Sequence, residues 1–220
     1  MTTPTPRQQF LVVDDHEAIL GGTVNALQKA YPEADMRTAR TTQETLEFLA
    51  TGIPTLIVMD LSIPEKVGGP SLTDNGIDLL RSLMQQYPIL NFVVQSGHVK
   101  ALVRLKPYID AHQGGFTIVD KSLPLQEMLT KVDWALQGII YTPRDMRTGI
   151  ELKPEWLQVL KLAFQEGLQD KAIAEQINVS ERTVRHYWSK IQDVLGVYPD
   201  PGKNIRIQTE IRAREEGVID

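Results

Sequence analysis

Short apolar runs alternate with stretches of helical periodicity over the first 125 residues, and this alternation constrains the fold most. The apolar runs are Phe10–Val13, Met36–Ala39, Thr55–Met59, Asn91–Val94 and Phe116–Val119. Apolar residues recur at helical spacing between these runs and after the last one. Five strands that alternate with five helices predict a parallel sheet covered on both faces, because each crossover between parallel strands needs a helix.

Polar side chains follow four of these predicted strands. Asp14 and Asp15 come after the first run, Asp60 after the third, Ser96 near the end of the fourth and Lys121 after the fifth. In a doubly wound sheet the functional crevice lies beyond the carboxyl ends of the strands, so we expect these side chains to share it. Lys121 would contribute a fixed positive charge there, and Ser96 a hydroxyl donor.

Three carboxylates at one sheet edge repel one another, so this arrangement predicts a bound cation. Mg²⁺ prefers oxygen ligands, which Asp14, Asp15, Asp60 and the backbone carbonyl of Ser62 would supply. Phosphoryl transfer depends mainly on positioning and on charge neutralisation. We therefore predict that Asp60 is the nucleophile that accepts a phosphoryl group.

Four motifs carry a resemblance to a known family: DDHE at 14–17, MDLSIP at 59–64, QSG at 95–97 and VDKS at 119–122. In this order they resemble the receiver domain of two-component response regulators. The resemblance implies a flavodoxin-like α/β domain, doubly wound on a five-stranded parallel sheet of order 2-1-3-4-5. It also implies roles for individual residues: Asp14 and Asp15 as metal-binding acids, Asp60 as phosphoacceptor, Ser96 as switch hydroxyl and Lys121 as the phosphate-contacting lysine.

Two positions depart from the pattern of that family. The glycine that usually closes the loop about eight residues after the phosphoacceptor is here Gly76, sixteen residues after Asp60. The aromatic switch position, three residues before the lysine, holds Ile118, and Phe116 lies two positions earlier on the same strand face. The first departure concerns access to the phosphoacceptor, and the second concerns the relay from the phosphate to the fourth helix.

Residues 154–217 read as short helices with tight breaks and no strand signal, which indicates an all-α helix-turn-helix unit. Ser180 is a good N-cap, and Val184, Ile191 and Leu195 keep one face of the following helix buried. A helix with basic and polar side chains on its other face suits entry into the DNA major groove. The exposed set predicted on that face is Arg182, Arg185, His186, Ser189 and Lys190.

The segments 152–197 and 205–219 resemble the LuxR-type (NarL/FixJ) output domain. On that resemblance Thr183 and Lys190 contact DNA phosphates, while Arg185, His186 and Ser189 face the bases. The domain boundaries that follow are a flexible N-terminus at 1–8, a receiver at 9–137, a linker at 138–151 and the helix-turn-helix domain at 152–220.

Composition excludes several classes of protein. The chain has no cysteine, so it holds no disulfide and no thiolate metal site. Its net charge of −5 argues against sequence-independent coating of nucleic acid. The longest apolar runs are far shorter than the roughly 20 residues that cross a bilayer, and the N-terminus lacks an apolar signal core. These features predict a cytoplasmic protein that does not contact the membrane.

The sequence therefore predicts a transcription factor, not an enzyme, whose dimerisation or DNA binding is controlled by phosphorylation of Asp60. The expected partners are a sensor histidine kinase, double-stranded DNA and a second copy of the chain when active, with Mg²⁺ as cofactor. One alternative is an atypical regulator that works independently of phosphorylation. Another is a protein–protein adaptor or phosphorelay intermediate that does not bind DNA, its basic side chains being merely solvated.

Overall fold

The computed structural model describes residues 7–142 and 152–219. Parts of the predicted N-terminal segment 1–8 and of the predicted linker 138–151 lie outside these described residues, and the domain boundaries stay predictions. The chain divides into two compact units. The first comprises Met1–Val99 and Pro107–Arg144, and the second comprises Lys100–Lys106 and Asp145–Asp220.

The first unit is built on a parallel sheet. Its strands, in chain order, are β1 (Gln9–Val13), β2 (Asp35–Ala39), β3 (Leu56–Met59), β4 (Ile63–Pro64), β5 (Ser71–Leu72), β6 (Asn91–Ser96), β7 (Phe116–Asp120) and β8 (Ile140–Tyr141). All but β4 and β5 join one sheet in the order β2-β1-β3-β6-β7-β8, and every pairing in it is parallel. The first five members confirm the predicted order 2-1-3-4-5.

A sixth strand extends the sheet, so the prediction of five strands is one short. Ile140 and Tyr141 fall within the range predicted as linker, yet they pair with the start of β7. Gly138, at φ 76°, makes the turn that brings the chain back to the sheet. The Lys131 ammonium then lies 3.8 Å from the ring centre of Trp134 and 3.5 Å from that of Tyr141. These contacts fasten β8 to the preceding helix.

Helices cover the sheet of the first unit. They are α1 (Glu17–Ala30), α2 (Thr42–Leu49), α3 (Thr73–Gln86), α4 (Lys106–Ala111) and α5 (Leu125–Leu136). A 3-10 helix (Val99–Leu105) precedes α4 in the chain, and Lys100–Lys106 belong to the second unit. Thr41 caps α2: its Oγ1 accepts a hydrogen bond from Glu44 N at 3.0 Å, and Glu44 Oε2 accepts one from Arg40 N at 2.6 Å. This resembles the capping box, except that Glu44 accepts from the amide one residue before the N-cap.

The second unit is helical over the residues described. Its helices are α6 (Pro154–Phe164), α7 (Asp170–Gln176), α8 (Glu181–Leu195) and α9 (Ile205–Glu215). Ser180 caps α8 as predicted, because its Oγ accepts a hydrogen bond from Thr183 N at 3.1 Å. Gly196, in the left-handed region at φ 67°, ends the same helix. Its apolar face is buried through Val184, Ile191 and Leu195, as the spacing predicts.

Candidate functional site

Three carboxylates of the first unit meet beyond the carboxyl ends of β1 and β3. Parallel pairing sets Val13 opposite Met59, so the residues that follow these two are brought to one edge of the sheet. Asp14 and Asp60 are buried, each with only 4% of its surface exposed. One possible ligand atom from each of Asp14, Asp15, His16 and Asp60 lies within 4.8 Å of the others. The structure therefore brings the predicted acids together.

Lys121, which directly follows β7, reaches into this acidic group. Its Nζ donates hydrogen bonds to Asp14 Oδ2 at 2.6 Å and to Asp60 Oδ2 at 2.8 Å. Burial lowers the pKa of the Lys121 ammonium, but its hydrogen bonds to Asp14 and Asp60 and their charges outweigh burial, and the net pKa is raised. The lysine is therefore held in its charged form between two buried carboxylates.

Ser96 lies at the end of β6 and is fully buried. Its Oγ accepts a hydrogen bond from His98 N at 3.1 Å, and the pairing of β6 with β7 sets Ser96 opposite Asp120, the neighbour of Lys121. Ile118 and Phe116 are both buried in β7. The position of the aromatic switch therefore holds a buried aliphatic side chain.

Gly76 allows α3 to lie directly against the loop that follows Asp60. A Cβ at this position would meet the Leu61 carbonyl oxygen well inside van der Waals distance, so only glycine fits. The extra residues between Asp60 and Gly76 form a hairpin of β4 and β5, which pair antiparallel. The longer loop thus still closes on a glycine, as the sequence suggested, but it adds a hairpin beside the acids.

Several polar groups at this site were missed by sequence reasoning. Ser71, in β5, donates a hydrogen bond from its hydroxyl to Asp15 Oδ2. Ser62 Oγ lies 3.3 Å from His98 Nδ1, and His16 Nδ1 lies 2.7 Å from Asp15 Oδ1. His16 directly follows the acid pair and could have been noticed, whereas Ser71 lies 56 residues from Asp15 in a loop with no periodic pattern.

The oxygen-rich donor set fits a hard divalent cation. Within the described part of the chain, the close neighbour of the buried Asp15 Oδ1 is Nδ1 of the exposed His16, at 2.7 Å. Three carboxylates at one edge of the sheet carry more negative charge than the Lys121 ammonium neutralises, and a divalent cation would offset it. Mg²⁺ is commonly held by one or two carboxylates together with water and phosphate oxygens. Asp14, Asp15 and Asp60 are therefore chemically suited to such an ion.

The second unit presents the predicted polar face on α8. Arg182, Arg185, His186, Ser189 and Lys190 are all exposed, and Thr183 is partly buried. Two of the cations have an acidic neighbour on the same helix. Arg185 Nη2 lies 3.4 Å from Glu181 Oε1, and Lys190 Nζ lies 3.9 Å from Asp193 Oδ2. Such exposed pairs are weak, so both cations can be redirected to a ligand.

The orientation of α8 is fixed by a polar cluster that the sequence did not reveal. The buried Trp188 donates a hydrogen bond from Nε1 to Asp170 Oδ1 at 3.0 Å. Arg206 Nη2 donates to both Asp170 oxygens, at 3.0 and 2.9 Å, and the guanidinium carbon lies 3.5 Å from the Trp188 ring centre. This cluster ties α7, α8 and α9 together.

The protein combines two kinds of domain. One is a parallel α/β domain in which a lysine lies between two buried aspartates, and the other is a helix-turn-helix domain. The family description "Response regulator receiver domain" matches residues 10–133, and "Bacterial regulatory proteins, luxR family" matches residues 155–200. The first match spans more than half of the chain. The chain belongs to the response regulator receiver family, and with its luxR-type domain it is a DNA-binding response regulator.

Curated relatives share this architecture along most of their length. The chain is 27% identical over 203 residues to the transcriptional activator protein ExaE of Pseudomonas putida, covering 86% of this chain and 90% of that protein. It is 25% identical over 202 residues to the DNA-binding transcriptional activator DevR/DosR of Mycobacterium tuberculosis, covering 86% and 88%. These relatives are described as transcriptional activators, in agreement with the family.

Solved structures support the fold. A structure of RcsB from Salmonella enterica serovar Typhimurium, bound to a promoter in the presence of a phosphomimetic, aligns with a TM-score of 0.59 at 21% identity. The alignment covers 97% of this chain and all of that chain. A structure of two RcsB dimers bound to two parallel DNAs aligns with a TM-score of 0.56, also at 21% identity, over 94% of this chain and 98% of that one. At this identity the likeness concerns the fold alone.

Proposed function

We propose that this response regulator is phosphorylated on Asp60 by a sensor histidine kinase, and that the phosphoryl group controls its dimerisation and DNA binding. The observation that carries the proposal is the placement of Lys121 Nζ between Asp14 and Asp60, at 2.6 and 2.8 Å. A single ammonium in contact with both carboxylates neutralises charge where a phosphoryl group would arrive. Regulation of this kind, rather than enzymatic turnover, suits the luxR-type domain that follows.

The chemistry assigns a separate role to each side chain. An Asp60 carboxylate oxygen attacks phosphorus of the phosphohistidine on the kinase, the new P–O bond forms as the P–N bond breaks, and the imidazole nitrogen keeps the electron pair. Lys121 then pairs with a phosphoryl oxygen. Asp14, Asp15, Asp60 and the backbone carbonyl of Ser62 would hold Mg²⁺, which when bound would supply positive charge to the phosphoryl oxygens.

Ser96 is the proposed switch residue. Its hydroxyl accepts a hydrogen bond from His98 N, which leaves the hydroxyl proton for donation to a phosphoryl oxygen. Ile118, at the position of the aromatic switch, is an aliphatic side chain buried in β7. We therefore propose that a shift of backbone and packing around Ile118, rather than the rotation of an aromatic ring, follows phosphorylation.

The proposed DNA interface is the exposed face of α8. The side chains that face base edges in the major groove are Arg185, His186 and Ser189. Arginine suits this role because it can bind guanine through two hydrogen bonds. Thr183, Lys190 and Arg182 lie towards the phosphates, where positive charge and helix N-terminal amides favour binding. Two copies of the chain would place two such helices on one operator.

The proposal also includes a cytoplasmic location, where the kinase domain and chromosomal DNA are both accessible. Among the helices of residues 7–142 and 152–219, none combines the length and apolar character required to span a membrane. Recruitment to the kinase would therefore depend on protein–protein contact with the receiver domain.

The test combines a phosphate analogue with two sets of variants. Operators are first selected from random DNA with the full chain, and affinity is then measured by fluorescence anisotropy with and without beryllofluoride and Mg²⁺, alongside size analysis. We expect the analogue to raise DNA affinity and dimer fraction in the wild type but not in Asp60→Ala. A wild type that does not respond would refute phosphate control and favour the phosphorylation-independent regulator.

The DNA interface is tested separately. We expect Arg185→Ala with Lys190→Ala to abolish operator binding, because both cations project from the exposed face of α8. Lys171→Ala, which removes an exposed cation from α7, is the matched control and should bind almost as well as the wild type. Unchanged binding by the double variant would contradict the interface and favour an adaptor without a DNA role.

A further inference from the structure

We propose that Ser71 is a positioning residue for Asp15: its hydroxyl holds the carboxylate so that Oδ1 is directed into the acidic group for a divalent cation. The inference rests on the proposed function, because it concerns the same cation site. It goes beyond that function by giving the inserted hairpin of β4 and β5 a role in cation binding.

The two oxygens of Asp15 have different surroundings. Oδ2 accepts the hydrogen bond from the Ser71 hydroxyl. Oδ1 is buried and lies 2.7 Å from Nδ1 of the exposed His16, a contact that a cation would replace. A carboxylate that ligates through one oxygen needs only Oδ1, so the serine does not compete for the ligating atom. A hydrogen bond to the second oxygen instead fixes the rotation of the carboxylate, as hydrogen bonds behind metal ligands do.

The hairpin that carries Ser71 is fastened independently of this hydrogen bond. Gln43 N, in the first turn of α2, donates to Glu65 O at 3.1 Å. Asn75 Nδ2, in α3, donates to Ile63 O at 3.0 Å. Both bonds fix β4, and Pro64 of β4 pairs with Ser71, so the backbone at Ser71 is held beside Asp15 before any cation binds. The arrangement is preorganised, and removal of the hydroxyl changes the carboxylate rather than the hairpin.

The burial and contacts of the three acids explain why the Asp15 carboxylate needs its own hydrogen bond. Asp15 is only partly buried, whereas Asp14 and Asp60 are buried and bonded to Lys121. In the described part of the chain Asp15 contacts the exposed His16 instead of that lysine, and an exposed histidine can turn outward together with the carboxylate. Without Ser71 its side chain could rotate towards solvent, and the site would lose its most accessible ligand.

The experiment is a calorimetric titration of MgCl₂ into the full chain, with circular dichroism to verify folding of every variant. Because loss of a hydrogen bond behind a metal ligand typically costs about 10- to 100-fold in affinity, we expect Ser71→Ala to bind Mg²⁺ about tenfold more weakly. Ser71→Thr retains the hydroxyl and should restore most of the affinity. Ser82→Ala removes another exposed serine, in α3, and should match the wild type.

The outcomes separate this inference from the proposed function on which it rests. Unchanged or tighter binding by Ser71→Ala would overturn the positioning role, as would a Ser71→Thr variant as weak as Ser71→Ala. A wild type that binds no Mg²⁺, or binds it equally well after Asp15→Asn, would overturn the proposed cation site itself. Weak binding by Ser71→Ala alone, restored by threonine, is the result that supports the inference.

Discussion

Replacement of Lys121 by methionine tests the electrostatic basis of the site without a large change in side-chain volume. The variant removes the ammonium from between Asp14 and Asp60, whose side chains are only 5% and 4% exposed. Removal of one partner from a buried ion pair typically costs about 3–5 kcal/mol, because the remaining charge is left buried and unpaired. Here two carboxylates lose their partner, so we expect a loss of stability at the upper part of that range.

A second substitution distinguishes charge from packing. In the double variant Asp60→Asn with Lys121→Met, one of the two facing carboxylates is neutral, so part of the loss should be recovered. Neighbouring residues of this kind couple by about 0.5–3 kcal/mol. Lys29→Met removes an exposed lysine from the end of α1 and should change stability by no more than about 0.5 kcal/mol.

The assay is urea unfolding in the presence of a chelator, so that no divalent cation replaces the ammonium. Hydrogen exchange of peptides from β1 and β3 reports on the first unit alone, which matters because the chain contains two compact units. A Lys121→Met variant as stable as the wild type, or a double variant no more stable than Lys121→Met, would refute the reasoning.

Three further results are expected. Gly76→Ala should destabilise the first unit by about 1–3 kcal/mol in urea unfolding, because the added Cβ would overlap the backbone of Leu61. Gly21→Ala is the control: Gly21 lies in open space on α1, so this variant should be more stable than the wild type by about 0.5–1 kcal/mol. Burial lowers the pKa of His112 despite its backbone hydrogen bond, so the unfolded chain binds more protons than the folded one. The free energy of unfolding should therefore fall as the pH drops below about 6.5, by at most about 1.4 kcal/mol per pH unit. His112→Gln should flatten this pH dependence, whereas replacement of the exposed His186 by glutamine should not. Asp170→Asn should reduce the free energy of unfolding of the second unit by about 1.5–3 kcal/mol, measured in urea by hydrogen exchange of peptides from α7 and α8. An unchanged unfolding free energy would contradict the role of the Trp188 cluster.

The site was largely predictable because parallel strands carry their carboxyl ends to one edge of a sheet. Asp14, Asp60 and Lys121 are far apart along the chain, but Asp14 and Asp60 directly follow an apolar run and Lys121 follows another after Asp120. Once the runs are interpreted as strands of one parallel sheet, the residues after them must converge. The N-cap Ser180 was equally accessible, since capping is a local interaction of side chain and backbone.

The features that escaped prediction depend on tertiary contacts rather than on periodicity. The strand Ile140–Tyr141 is two residues long, too short for any hydrophobic pattern, and it pairs only because Gly138 and Lys131 return it to the sheet. Ser71 lies in a loop without periodicity, and nothing in the sequence links it to Asp15. The contacts of Trp188 likewise join three helices, so they become visible only in the folded unit.

The most direct test of the central claim is phosphorylation of the full chain by a small phosphodonor. The protein is incubated with acetyl phosphate and Mg²⁺, analysed by phosphate-affinity electrophoresis and peptide mass spectrometry, and then assayed on its selected operator. We expect one phosphoryl group on the peptide that contains Asp60, none in Asp60→Ala, and tighter operator binding by the phosphorylated form alone. Phosphate control through Asp60 would be ruled out by a chain that takes up no phosphoryl group, takes it up elsewhere, or binds its operator equally well in both forms.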